Sequence, residues 1–356
     1  MNYNNISKKF WNGKKVFVTG HTGFKGSWLC IFLKVLGAKV TGYSLKPPTK
    51  PSLFQLANIH NLIEKSVIAD VRDYKRLFKE IKESKSTIIF HLAAQPLVRY
   101  SYNQPKETFD TNFSGSLNIF ECIKKIKKIK TSIIITTDKV YDNSKNKIFK
   151  ENDNLGGYDP YSASKVCVEF LFSSYVKSFF MNKNRQMLAT VRAGNVIGGG
   201  DYSVDRLIPD IYRFYKKKKK IILRSPLAVR PWQHVLEPLS GYLLLAEKIH
   251  KNKIKKLKQN WNFGPNISSC RTVKYVANYF AKSLKLKIIS KQSKKNNAKE
   301  TSILRLSNYK SKKFINWHPK WPLDKSLKKI EDWNYRVKSE KCIDVCKDQI
   351  KDFLES

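Results

Sequence analysis

The chain has 356 residues, 41% of them hydrophobic, which is enough to bury a sizeable core and excludes whole-chain disorder. Its 69 Lys and Arg against 28 Asp and Glu leave a net charge of +41. The lysine runs at 124–130, 216–220 and 251–258 carry no matching array of aromatic residues for base stacking, so the charge is read as a surface bias that steers anions, with no specific nucleic-acid site. No apolar run approaches the roughly 20 residues of a membrane-spanning helix, and residues 1–10 lack the apolar stretch of a signal peptide, so a cytoplasmic protein with no membrane partner is expected.

The first predicted element is an apolar strand at 15–19. It runs into Gly20-His21-Thr22-Gly23-Phe24-Lys25-Gly26 and then a helix over 23–36. A glycine-rich turn in that place lets backbone N–H groups and the helix dipole meet a pyrophosphate, because side chains there would block the approach. The pattern therefore predicts a dinucleotide site. Strands follow at 39–44 and 66–69, a helix at 74–83, a strand at 87–91 and a helix at 107–126. The second strand ends Gly42-Tyr43-Ser44-Leu45-Lys46, with no carboxylate for a ribose 2′-hydroxyl, while Lys46 would suit a 2′-phosphate.

A fifth strand at 132–136 leads into Thr137-Asp138-Lys139, at the carboxyl edge where open α/β sheets carry their sites. The next helix, 161–180, opens Pro160-Tyr161-Ser162-Ala163-Ser164-Lys165. Tyr161 and Lys165 stand at i and i+4 and project from one helix face, a geometry that suits a phenolate base whose proton affinity a nearby ammonium lowers. A sixth strand, 187–192, completes a doubly wound parallel sheet of the α/β class. From about Gly198 the rhythm changes, with Pro209, Pro226, Pro231 and Pro238 punctuating shorter segments of a smaller lobe. The boundaries read are 1–197 for the dinucleotide domain, 198–340 for the second lobe and 341–356 for a charged tail. A strand at 261–263 is expected to rejoin the sheet, and 289–299 reads as a polar, mobile loop. The six cysteines show no zinc-ligand spacing, so no metal site is expected.

The Gly-x-x-Gly-x-x-Gly spacing resembles that of the extended short-chain dehydrogenase/reductases, as do Asp70-Val71 after the third strand and Leu92-Ala93-Ala94 after the fourth. This resemblance implies a Rossmann-type fold in which Gly20, Thr22, Gly23, Phe24, Lys25, Gly26, Asp70, Val71, Leu92, Ala93, Ala94, Tyr161 and Lys165 hold NAD. It also implies that Asp70 contacts the adenine and that Asn112 holds a water or a helix kink.

Longer motifs narrow the likeness. They include Thr137-Asp138-Lys139, with lysine where nucleotide-sugar 4,6-dehydratases usually have glutamate, and Ala94-Gln95-Pro96-Leu97-Val98-Arg99. Further along stand Gly194-Asn195-Val196-Ile197, Asp205-Arg206-Leu207 and Arg230-Pro231-Trp232-Gln233-His234. Together these resemble the CDP-glucose 4,6-dehydratases over nearly the whole chain. The resemblance implies a lyase that converts CDP-glucose to its 4-keto-6-deoxy product by internal oxidation, elimination and reduction. Tyr161 would take the 4-hydroxyl proton, Thr137 would bond the 4-oxygen, and Lys165 would hold the nicotinamide ribose. Lys139, kept deprotonated by burial or cationic surroundings, would remove the C5 proton as Asp138 protonates the leaving 6-hydroxyl. Gln95, Arg99, Asn195, Arg206, Arg230 and His234 would contact the nucleotide sugar, and the helices 107–126 and 161–180 would build a homodimer or homotetramer. Two other readings stay open: a different nucleotide-sugar 4,6-dehydratase or 4-epimerase on the same fold, and a non-catalytic basic binding protein.

Overall fold

The computed structural model describes residues 5–142, 147–181, 186–254, 259–290 and 303–356. Strands β1 (Lys15–Thr19), β2 (Lys39–Ser44), β3 (Lys65–Ile68), β4 (Ile88–His91), β5 (Thr131–Ile135), β6 (Met187–Ala193) and β7 (Asn260–Phe263) make one sheet. Its order is β7-β6-β5-β4-β1-β2-β3, and every neighbouring pair is parallel. The six strands read from sequence fall within one residue of these bounds, and the returning segment becomes β7 at the sheet edge.

A parallel sheet covered on both faces buries every strand position, which explains the near-continuous apolar runs. Val16, Val18, Ile88, Phe90, Ile133 and Ile135 face one side, with α1 (Phe24–Val35) packed over them. Phe17, Ile89 and Ile134 face the other, under α2 (Tyr74–Ser84), α3 (Gly115–Lys125) and α4 (Pro160–Tyr175). The first side is completed by α5 (Leu236–His250) and α6 (Cys342–Glu355).

Both long helices expected in the first half contain a π-helical turn, Asp110–Ser114 ahead of α3 and Val176–Phe180 after α4. Asn112 sits in the first of these turns. Its Oδ1 accepts from Gln95 N at 2.8 Å and its Nδ2 donates to Ser164 Oγ at 2.9 Å, so it ties the loop after β4 to α4.

The second lobe carries a three-stranded sheet of Asn195–Ile197, Val229–His234 and Cys270–Thr272 over a core that includes Ile211, Trp232, Phe280 and Leu327. Of the loop expected at 289–299, residues 289 and 290 lie in the strand Ile288–Ser290, which pairs with Ile221–Leu223, and 291–299 lie outside the described residues. Pro209 and Pro238 do not break the chain into short pieces. They occupy the first turns of Leu207–Lys216 and α5, where a missing N–H costs no helical hydrogen bond. The stretch read as a charged tail is α6, whose Val345, Cys346, Ile350 and Phe353 are fully buried. No helix among the described residues is long and apolar enough to cross a membrane.

Gly241 lies in the middle of α5, where an added Cβ would come within 2.2 Å of the Phe263 ring. That ring is gripped edge-on by Tyr242 and Trp317. Helix propensity favours alanine by about 1 kcal/mol, whereas overpacking a fixed ring costs about 1–3 kcal/mol. Gly241→Ala is therefore expected to lower the unfolding free energy in a denaturant titration, and a more stable variant would show that the ring yields.

Candidate active site

Strand order reverses between β1 and β4, which opens a crevice at their carboxyl ends. The turn after β1 lies close against it. Gly20 has φ +75°, and a Cβ there would stand 2.7 Å from Ala93 N; one on Gly26 would stand 2.0 Å from the Gly20 carbonyl oxygen. Only glycine lets the turn rest on the end of β4 and lets α1 start against the turn. Gly23 is the N-cap of α1 and supplies no side-chain cap to the first N–H groups of this twelve-residue helix. With the positive end of the helix dipole behind them, they suit an anion such as a pyrophosphate.

The other cradle residues are placed as follows. Thr22 Oγ1 donates to Leu45 O at 2.9 Å and meets Ser44 Oγ at 2.9 Å, pinning the turn to β2. Asp70 accepts from Arg72 N at 2.9 Å and from its guanidinium at 2.9 and 2.6 Å. Burial would raise the Asp70 carboxyl, but Arg72 outweighs it and holds the group below its usual range. Val71 packs under Gly115, where a Cβ would meet it at 2.7 Å. Leu92, Ala93 and Ala94 follow β4, half-buried, and Phe24 and Lys25 open α1.

At the end of β5, Asp138–Val140 form a 3-10 turn. Thr137 Oγ1 accepts from Lys139 N at 3.4 Å and donates to Asp138 Oδ1 at 3.1 Å. Asp138 is only 3% exposed, and its Oδ2 is buried without a hydrogen-bond partner among the described residues. Burial raises its carboxyl above the ordinary range, against the opposing charges of Lys139, Arg230 and Lys25. A carboxyl so placed tends to keep its proton and can act as a donor. Lys139 beside it is half-buried.

Pro160 opens α4, and Asp159 caps it by accepting from Ser162 N at 2.9 Å. Tyr161 is buried, its N–H donates to Ser101 Oγ at 3.1 Å, and its phenol is hydrogen-bonded with Thr137. Burial pushes the phenol up to about 12, opposed by Thr137 and the charge of Arg206. Lys165 Nζ donates one of its hydrogens to Ile135 O at 3.1 Å; burial, then Lys25, lowers the amine to about 8. Lys25 is itself lowered to about 8 by burial and then by Arg206, with Asp138 pulling the other way. Its charge thus lies within electrostatic reach of Arg206 and Asp138.

Of the residues expected at a nucleotide sugar, Arg206 and Arg230 act on this cluster through their charge. Arg206 lies 3.8 Å from Asp201. Asn195, half-buried, begins its strand in register with Trp232. Arg99 is largely exposed and donates to Asp205 Oδ1 at 3.0 Å, and Arg224, which no motif singled out, donates to the same oxygen at 3.2 Å. Gln95 is committed internally: its amide donates to Leu97 O and Thr108 Oγ1 and its Oε1 accepts from Leu97 N, so it shapes the loop after β4. His234 is not brought to the cluster. It is 0% exposed between Trp28 and Trp321, and burial, then Lys329, lowers its imidazole to about 3, so it is a neutral packing residue. Glu169 and Arg192 were missed, although a lone charge inside an otherwise apolar strand or helix face is itself the signature of a buried pair.

Residues 17–330 match the GDP-mannose 4,6 dehydratase family. A CDP-glucose 4,6-dehydratase of Salmonella typhimurium is 43% identical over 99% of this chain and 99% of its own. Among solved structures, the dTDP-glucose 4,6-dehydratase of Bacillus anthracis, in complex with NAD, shares 23% identity with a TM-score of 0.75, covering 93% of this chain and 98% of that one. The UDP-glucose 4-epimerase of Thermotoga maritima, with UDP-glucose, shares 20% identity with a TM-score of 0.78 over 91% and 99%. The family match spans the sheet, the crevice and most of the second lobe, and a relative matches end to end: the chain belongs to the GDP-mannose 4,6 dehydratase family.

Proposed function

We propose that this chain is a hydro-lyase that removes water from CDP-glucose to give CDP-4-keto-6-deoxyglucose, with NAD held in the crevice between β1 and β4. The observation that carries the reading is the buried Asp138, with one carboxyl oxygen unpartnered, beside Lys139 and joined through Thr137 to Tyr161. Elimination across C5 and C6 needs an acid and a base side by side, and a simple 4-epimerase has no use for them. The name of the end-to-end relative supports the cytidine nucleotide, and the NAD in the Bacillus anthracis complex supports the cofactor.

The residues fit a dinucleotide, since the glycine cradle has no room for side chains and the start of α1 is uncapped. Gly20, Gly23 and Gly26 with the first N–H groups of α1 would hold the pyrophosphate, Asp70 and Val71 the adenine side, and Lys165 the nicotinamide ribose. When bound, NAD supplies a hydride acceptor that later returns the hydride, so the reaction has no net oxidation. Tyr161 takes the 4-hydroxyl proton, and Thr137 and Arg206 stabilise the phenolate. A carbonyl at C4 acidifies the hydrogen on C5, which Lys139 removes. Asp138 gives its proton to the 6-hydroxyl, which leaves as water, and the raised carboxyl keeps that proton in place until then. Arg206 and Arg230, with Asn195 and Arg99, pair with the diphosphate, for which planar guanidinium groups are suited. The same reading includes a homodimer or homotetramer through the helices at 105–125 and 160–180, supported by the exposed Phe170 and Phe179.

Purified protein given CDP-glucose and NAD is expected to form a 4-keto sugar that absorbs after alkali treatment, and cofactor-stripped protein should regain activity with NAD. Recovery with NADP alone would overturn the cofactor assignment. Lys139→Ala should lower turnover by about 10²–10⁴-fold while NAD binding persists; full turnover would remove Lys139 from the role of base.

Asp138 also carries a stability signature. Because its folded pKa is raised, the folded chain retains a proton that the unfolded chain releases above about pH 3.9. Its contribution to stability is present at low pH and lost as pH rises through the raised value. Asp138→Asn should abolish turnover yet gain unfolding free energy on the wild type as pH rises. Parallel pH profiles of stability for the two proteins would contradict the assignment.

A further inference from the structure

Glu169 and Arg192 form an ion pair that the reaction above does not use. Their side chains are 1% and 2% exposed. The contact is bidentate: Arg192 Nε donates to Glu169 Oε1 at 2.8 Å and Arg192 Nη2 to Oε2 at 2.9 Å. Burying such a pair is a poor way to stabilise a fold, since apolar residues of similar volume do as well or better. What distinguishes this pair is where its remaining hydrogen bonds go.

Glu169 Oε1 also accepts from the Thr136 hydroxyl at 2.6 Å. Arg192 Nη1 donates to the Tyr141 hydroxyl at 2.8 Å, and that hydroxyl donates onward to Asn262 Oδ1 at 2.8 Å. Thr136 and Tyr141 are the residues that bracket Thr137-Asp138-Lys139-Val140. One ion pair therefore grips both ends of the turn that carries the acid and the base. Glu169 also lies one helical turn beyond Lys165 on α4, which carries Tyr161, and Arg192 lies in β6. The turn, the helix and the sheet are fixed to one another at a single point.

We propose that Glu169 and Arg192 are positioning residues that hold the Thr137-Asp138-Lys139 turn in register with Tyr161 and Lys165, through Thr136 on one side and Tyr141 on the other. Their task is the elimination half of the reaction, and in this the inference rests on the dehydratase reading. Oxidation at C4 depends on Tyr161, which α4 carries and which shares only Thr137 with the turn. Proton removal at C5 and departure of the 6-hydroxyl depend on the turn.

Thr136→Val and Tyr141→Phe each cut one tether and leave the ion pair in place, and Tyr141→Phe keeps the ring stacked on Phe149. Measured on the holoenzyme with CDP-glucose, each is expected to lower kcat by about 10–100-fold with KM unchanged, the scale of loss for a displacement of about 1 Å. Reduced nicotinamide should accumulate during turnover, because elimination, which needs Asp138 and Lys139 in place, slows more than oxidation, which shares only Thr137 with the turn; a merely weakened fold would slow both halves together. Thr136→Ser, which restores the hydroxyl, should restore kcat. Wild-type kcat in both tether variants, or slow turnover with no reduced nicotinamide, would overturn the proposal. Backbone hydrogen exchange tests it without substrate: protection across 136–141 should fall in both variants while that of 160–175 holds, and unchanged protection across 136–141 would overturn it. Failure of the wild-type chain to dehydrate CDP-glucose would instead strike the reaction itself, leaving the exchange result to decide whether the turn is held this way.

Discussion

Taking ionisable groups out of water at the carboxyl edge of the sheet is the constraint that organises this molecule. Each buried charge costs several kcal/mol unless it is neutralised or paired. Asp138 and Tyr161 are pushed up, and Lys25 and Lys165 are pushed down. All four shifts favour the neutral form. At Asp138 burial favours the protonated acid, the starting state for acid catalysis, whereas at Tyr161 burial works against a phenolate and Thr137 and Arg206 oppose it. Glu169 and Arg192 meet the same constraint differently: they stay charged because each satisfies the other and their remaining bonds go to Thr136, Thr190, Asn260, Tyr141 and the Glu151 carbonyl.

The cradle follows from a second, purely steric demand. At the reversal of strand order two strand ends must come close enough to share one ligand, and Gly20 and Gly26 permit that approach by having no Cβ. The turn after β5 stands near the same crevice, because only β4 separates β1 from β5. Lys25, on the first turn of α1, is thereby brought within electrostatic reach of Asp138. That side chain thus stands both at the uncapped start of α1 and near the carboxyl.

Much of this was legible in the residues. Strands buried on both faces read as short apolar runs, and their bounds came out within a residue. Tyr161 and Lys165 at helical spacing and the glycines after β1 do stand at the carboxyl edge of the sheet, as their positions after β5 and β1 require. Legibility failed where a residue type was known but its orientation was not. Gln95 and His234 stand in motifs that suggest ligand contact, yet the first is spent on its own loop and the second is sealed between indoles. The pairing of Glu169 with Arg192 spans 23 residues, beyond any local pattern. The apolar spacing of Val345, Cys346, Ile350 and Phe353 was present but hidden by the lysines and acids between them.

That last helix bears on how the chain comes to its shape. α6 packs on α1, whose own amino end faces the crevice, and β7 supplies the edge strand beside β6. α1 therefore lies under a cover that is synthesised more than 300 residues after it. On the ribosome the nucleotide-binding half emerges first and waits, its greasy flank open, for segments from the far end of the message. Closure over such sequence distances is slow, and the interval is one in which the nascent chain is exposed to chaperones and to aggregation.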